Sequence, residues 1–201
     1  MKKSFFIFML ICTLLSLPII QSHPIRDTDR NVLLADTSYY IVPANRGEGG
    51  GVTLAPGIEQ RCPFGVVQED NESKKGLPLN FKPGNTSNNR IVHESADVNV
   101  LFSGKFASPC IEQSVWRVED SMDGYRYVSS HAIIGSPGKE TLRNWFKIEK
   151  YENDYKLVYC PTICTECRPG YCADIGPMIT KNGRRSLVLN NVPLKVRFKK
   201  A

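Results

Sequence analysis

The absences in this 201-residue sequence narrow its reading first. It has only three histidines, His23, His93 and His131, and neither an HExxH nor a GxSxG motif, so the usual zinc-peptidase and serine-hydrolase signatures are missing. It has no dense Lys/Arg block and no basic stripe interleaved with aromatics, the electrostatic footprint expected of a nucleic-acid binder. Past residue 22 no long segment carries a helical hydrophobic period with caps, and no low-complexity linker divides the chain. Acid pairs such as Glu119-Asp120 remain. Glycoside hydrolysis needs two acids without any local motif, but nothing in the sequence marks this pair as buried. The chain therefore reads as a non-enzyme, with no metal or cofactor called for.

What is present is globular: 41% of residues are hydrophobic and 23% charged, outside the disordered and collagen-like classes. Lys2 and Lys3 precede an apolar run from Phe5 to Leu17, followed by Pro18 and a short stretch to Ser22. That order of basic, apolar and short polar regions is the pattern of a secretory signal peptide. The run is about 13 residues, short of the ~20 a spanning helix needs. We expect residues 1–22 to be a signal peptide and 23–201 a single mature domain with no membrane segment.

Seven cysteines and a net charge of +6 describe this precursor. Without residues 1–22 the chain has 179 residues and has lost Cys12, Lys2 and Lys3. Six cysteines remain, with 24 basic residues against 20 acidic ones, a mild net charge of +4. Arg184-Arg185 and Lys199-Lys200 then read as solvated surface charge.

About a dozen short β-rich runs follow, split by turn residues. They run from Tyr39–Val42 and Val52–Leu54, through Arg90–His93 and Val98–Phe102, to Ser186–Leu189 and Leu194–Phe198. Several alternate: Lys195, Arg197 and Lys199 interleave with Val196 and Phe198. Asn182-Gly183 between two apolar runs is the clearest hairpin signal. This pattern predicts one all-β domain, a closed barrel or a sandwich.

Cys62 and Cys110 are far apart, whereas Cys160, Cys164, Cys167 and Cys172 cluster. Four close cysteines can bind zinc, and Cys164–Cys167 has the CxxC spacing of a redox pair. An oxidising secretory route favours structural disulfides instead. The four clustered cysteines permit three pairings among themselves. Two N-glycosylation sequons, Asn71-Glu72-Ser73 and Asn85-Thr86-Ser87, lie in polar stretches and fit the same route.

The mature N-terminus reads Ile25-Arg-Asp27-Thr-Asp29-Arg-Asn-Val-Leu33, with Tyr39-Tyr-Ile41 after five residues. Cys62-Pro63, Trp145-Phe146-Lys147-Ile148-Glu149, Tyr155 to Pro161, Asp174-Ile175-Gly176 and Gly183-Arg184-Arg185 follow. Together these residues resemble the plant Kunitz-type inhibitors, the soybean trypsin inhibitor family, across nearly all of 25–200. Arg30 departs from the signature, which usually has Asp or Gly there. The run Cys160-Pro-Thr-Ile-Cys164-Thr-Glu-Cys167, with Cys172 following, is most similar to the miraculin-like branch.

The resemblance implies a disulfide-stabilised β-trefoil of about twelve strands, with pairs Cys62–Cys110, Cys160–Cys172 and Cys164–Cys167. A monomer is expected, because no further cysteine precedes Tyr155–Cys160 to link two chains. The resemblance also implies a secreted inhibitor of endopeptidases, most often serine proteases. Such an inhibitor acts through a rigid loop that enters the protease cleft already extended. Here the matching loop is 82–93. Aligned back from Phe102, its reactive bond falls on Asn88-Asn89; a small register shift offers Arg90-Ile91, which suits the buried Asp of a trypsin-type pocket. The alternative is a non-inhibitory defence, storage or carbohydrate-binding protein. The expected location is extracellular, in the apoplast; His23-Pro24-Ile25-Arg26 resembles a vacuolar sorting motif and keeps the vacuole as a second destination.

Overall fold

Alternation with a period of two decides which face of each strand is buried. In the strand nearest the C-terminus, Val196 and Phe198 are fully buried while Arg197, Lys199 and Lys200 are exposed. The first strand likewise buries Tyr39 and Ile41. A strand that is apolar on one face and charged on the other must pack its apolar face inward.

The computed structural model describes residues 22–57, 62–84, 90–104, 114–134, 136–164, 166–167 and 170–201. Among them are twelve strands: β1 (Tyr39–Pro43), β2 (Val52–Ala55), β3 (Phe64–Gln68), β4 (Leu79–Pro83), β5 (Val98–Phe102), β6 (Val115–Asp120), β7 (Arg126–Ala132), β8 (Lys147–Tyr151), β9 (Asp154–Tyr159), β10 (Ala173–Ile179), β11 (Arg185–Asn190) and β12 (Val196–Lys200). The expected signal peptide, apart from Ser22, lies outside the described residues.

Six of these strands close a barrel. β1 pairs with β12 in register from Tyr39 opposite Lys200 to Pro43 opposite Val196. The ring continues through β12–β9, β9–β8, a bridge between Phe146 and Val98 that joins β8 to β5, then β5–β4 and β4–β1. The other six form three hairpins, β2–β3, β6–β7 and β10–β11. These pair with one another through β3–β7, β3–β11 and β7–β11 and cap one end of the barrel. Each consecutive set of four strands supplies two barrel strands, with one hairpin between them. This threefold plan is that of a β-trefoil. Closure leaves the barrel no unpaired strand edge.

Aromatic side chains fill the barrel. Phe81 meets Phe198 edge-on at 5.5 Å between ring centroids, and Tyr155 lies 5.7 Å from Phe198. Trp116 meets Phe146 edge-on at 5.9 Å, and Phe146 lies 6.0 Å from Tyr159. Such tilted and edge-on pairs add stabilisation beyond burial alone.

Sequence and structure part at three places. Arg90–His93 is not a strand; Ile91 and His93 make single bridges to Leu34 and Pro24. A 3-10 helix at Lys139–Asn144 precedes β8, too short to show a period. Arg185 is not a solvated charge: it donates to Gln68 Oε1 (3.1 Å) and to the Glu48 carbonyl (2.9 Å). The Asn182-Gly183 hairpin forms as read, with Gly183 at φ 78°. Arg30 has φ 65°, a left-handed conformation that Gly and Asp adopt at lower cost than Arg, which accounts for the residues usual at this place in the signature.

The β8–β9 turn is fastened to β12 by charge. Asp154 accepts from Arg197 Nε at 2.6 Å and Nη2 at 3.3 Å, with Lys195 Nζ 3.6 Å away. The Arg197 guanidinium holds the Asp154 carboxyl below its ordinary value. A depressed carboxyl contributes stability above its unfolded pKa and loses it as pH falls through the folded value. The Asp154→Asn variant should therefore be less stable than the parent at pH 7. Urea unfolding between pH 7 and pH 2 should show that difference shrinking to nothing as the acid limit is reached.

Candidate functional site

The loop between β4 and β5 leaves the barrel at the end away from the hairpin cap, because β3 feeds β4 and β5 feeds β6. Its first foot is Gly84 and its second is Asp97; the Gly84 N–H donates to the Asp97 carbonyl at 2.8 Å. Gly84 sits at a close approach to two side chains. A Cβ there would lie 2.3 Å from Ile163 Cδ1 and 3.1 Å from Trp145 Cζ3.

The arm at 90–93 is pinned from outside the loop. Val92 is fully buried beside Ile25 and Leu33. Its N–H donates to the Leu33 carbonyl (2.9 Å), and its carbonyl accepts the Ile25 N–H (3.0 Å). The Arg90 carbonyl accepts the Ala35 N–H at 2.7 Å. Its side chain is 73% exposed and pairs with Asp36 through Nε (2.9 Å) and Nη2. The Arg90 guanidinium, helped by Lys82, holds the Asp36 carboxyl below its ordinary value. Leu34, 42% exposed, bridges Ile91. The N-terminal segment 23–36 thus braces one side of the loop, a contact that no local signal in 82–93 announces. Asn85, Asn88 and Asn89 lie outside the described residues.

A second brace comes from the clustered cysteines. Cys160 pairs with Cys172 and Cys164 with Cys167, so these four thiols are neither a zinc site nor free nucleophiles. Cys62 is disulfide-bonded; its expected partner, Cys110, lies outside the described residues. Asp97 and Thr162 join the two loops, since Asp97 accepts from Thr162 N–H at 3.0 and 3.1 Å and from Thr162 Oγ1 at 2.8 Å.

A separate pocket of about 280 Å³ opens at the hairpin cap, between Pro56, Pro63 and Val66 on one side and Glu119, Ser129 and His131 on the other. Ser129 Oγ lies 3.3 Å from His131 Nδ1, and His131 Nε2 lies 3.4 Å from Glu119 Oε1. This row resembles a hydrolytic triad in composition only. The Ser129 hydroxyl donates to the Arg117 carbonyl (3.4 Å), and Arg117 Nε sits 2.7 Å from the same Glu119 oxygen. The Glu119 carboxylate is thus shared with Arg117, and the Ser129 hydroxyl has the Arg117 carbonyl as a second partner beside the imidazole.

Comparisons with known proteins give the family of this threefold barrel. The family model described as "Trypsin and protease inhibitor", the legume-type Kunitz family, covers residues 25–200. The chain belongs to the Kunitz inhibitor family. It is 39% identical over 180 residues to Kunitz trypsin inhibitor 5 of Arabidopsis thaliana, covering 89% of this chain and 86% of that protein. It is 38% identical over 185 residues to miraculin of Synsepalum dulcificum, covering 89% and 83%. The solved rice bifunctional alpha-amylase/subtilisin inhibitor superposes with a TM-score of 0.71 at 36% identity, over 90% of this chain and all of the other. As a Kunitz-family protein of the miraculin-like branch, it is not an enzyme.

Gly84 gives this site a direct test. A methyl group there must push aside the end of the Ile163 side chain, a shift that costs about 1 kcal/mol, the low end of overpacking. Gly84→Ala should lower the thermal midpoint and raise proteolytic nicking within 82–97.

Proposed function

We propose that this Kunitz-family chain is a secreted inhibitor of serine endopeptidases, acting as a monomer through residues 82–93. The carrying observation is the pinned arm: Val92 is buried between Ile25 and Leu33 while Arg90 projects into solvent beside it. A loop held this way loses little conformational freedom on entering a protease cleft. The signal peptide read at 1–22 and six cysteines suited to disulfides support export to the apoplast or vacuole.

In a substrate-like loop, the carbonyl oxygen before the scissile bond must turn into the enzyme's oxyanion hole. The Arg90 carbonyl is already bonded to Ala35 N–H. A reactive bond at Arg90-Ile91 would have to give up that contact. We therefore favour Asn88-Asn89 as the reactive bond, with Arg90 and Ile91 as flanking contacts. A neutral Asn does not suit the buried Asp of a trypsin-type pocket. A subtilisin-type enzyme is the preferred target, in keeping with the names of the rice and other cereal relatives.

Titration of trypsin, chymotrypsin, subtilisin and papain with the mature protein tests this. Subtilisin should be inhibited at sub-micromolar concentration and trypsin at least about tenfold more weakly. Arg90→Ala should change subtilisin inhibition by less than about tenfold. If that variant abolishes inhibition, the reactive bond is Arg90-Ile91. Failure to inhibit any of the four at micromolar concentration removes the inhibitor reading.

A second reading, a storage or carbohydrate-binding protein, is favoured by the sequon Asn85-Thr86-Ser87 inside the loop. A glycan there would obstruct docking, and the pocket at the hairpin cap would be the place for a small ligand. Asn71, in the other sequon, is exposed, with its Oδ1 accepting the Ser73 N–H at 2.9 Å. Peptide mapping of the secreted protein should find glycan at Asn71 and none at Asn85; an occupied Asn85 favours the second reading.

A further inference from the structure

The foot of the 84–97 loop is tied to the two-disulfide segment by a relay of three side chains. Lys147 Nζ donates to Thr162 Oγ1 at 3.0 Å, and Thr162 Oγ1 donates to Asp97 Oδ2 at 2.8 Å. Lys147 and Asp97 are each only 9% exposed. The hydroxyl thus joins a nearly buried cation to a nearly buried carboxyl. Its single proton goes to Asp97, while one of its lone pairs receives Lys147. The Thr162 N–H adds a further donor to the carboxyl.

The placement of Thr162 gives this relay its consequence. It lies between Cys160, bonded to Cys172, and Cys164, bonded to Cys167, on backbone that the two cross-links restrain. Its neighbour Ile163 closes on Gly84, at the other foot. Thr162 therefore grips the second foot and Ile163 abuts the first. Between the feet, among the described residues, the N-terminal segment braces 90–94, and the Ser95 N–H donates to the Ile148 carbonyl at 2.9 Å. Thr162 is exposed, so core packing does not fix its side chain. A hydroxyl that accepts from one buried group and donates to another satisfies a geometric demand at the loop foot.

We propose that Asp97, Thr162 and Lys147 are positioning residues that preorganise the 82–93 loop, so that the Cys160–Cys172 segment governs how well the loop engages a protease. This rests on the inhibitor reading above. Both feet held in place lower the ordering cost of docking. They also keep the two ends of a cleaved loop together, so that such a chain resists turnover as a substrate.

Thr162→Val keeps the shape and β-branching and removes both hydroxyl bonds; Thr162→Ser keeps the bonds. In the full mature chain, the Val variant should inhibit subtilisin about 10- to 100-fold more weakly. It should also be cut within 82–93 faster than the parent, with the folded near-UV spectrum retained. The Ser variant should restore inhibition and resistance to cutting. The proposal is overturned if the Val variant inhibits and resists cutting like the parent, or if the Ser variant fails as badly as the Val one. Should the parent inhibit no protease, the inhibitor reading fails and the clamp is still measured. Hydrogen exchange at the Gly84 amide and nicking of 82–97 by thermolysin should both quicken in the Val variant and recover in the Ser variant; unchanged rates would refute the clamp itself.

Discussion

Everything in this protein depends on the pairing of β1 with β12. Five residues at the N-terminal side, Tyr39–Pro43, meet five at the C-terminal end, Val196–Lys200. That contact turns a run of hairpins into a closed barrel and buries Ile41, Val196 and Phe198 completely. An open sheet of the same strands would expose hydrogen-bonding edges and the aromatic side chains that the barrel encloses. Closure also fixes where chain segments emerge, since each connection must leave at the capped end or at the other. The β4–β5 loop leaves at the end away from the cap with its feet already a hydrogen bond apart.

From that frame the described parts of the loop inherit their restraint. Its 90–93 arm borrows pairing from 23–36, and its feet borrow it from Thr162 and Ile163. The parts that brace the loop come from both ends of the sequence. This division suits a family whose members share a barrel and carry different named activities, among them trypsin inhibition and alpha-amylase/subtilisin inhibition. The barrel bears most of the folding energy, and exposed loop residues such as Arg90 are free to differ while buried Val92 anchors them.

Much of the fold was legible along the chain. Val98–Phe102 stands out as a β-rich run, Leu194–Phe198 by alternation, two residues ahead of the observed Val196–Lys200, and Asn182-Gly183 announces its hairpin. The 3-10 helix at Lys139–Asn144 was not legible, because six residues at three per turn leave no period to detect. Arg90–His93 looked like a strand because its residues favour extended backbone, and extended it is, but its partners are isolated bridges. Arg185 looked like surface charge because its partners, Gln68 and the Glu48 carbonyl, lie more than a hundred residues away.

The candidate site divides in the same way. Arg90 and Ile91 could be named from sequence because exposed basic and apolar residues in a loop carry their own chemistry. The clustered cysteine pairs followed from resemblance, and the structure bears them out. The brace could not be read at all: nothing near Thr162 points to Asp97, 65 residues earlier. The sequence by itself determined an all-β chain, most of its strand positions and the residues its loop can offer. Only the tertiary structure decided that the Arg90 carbonyl turns inward and that Thr162 holds the loop foot. Alternation and turn chemistry act between neighbours, whereas a hydrogen bond across the barrel exists only once closure has brought its two ends together.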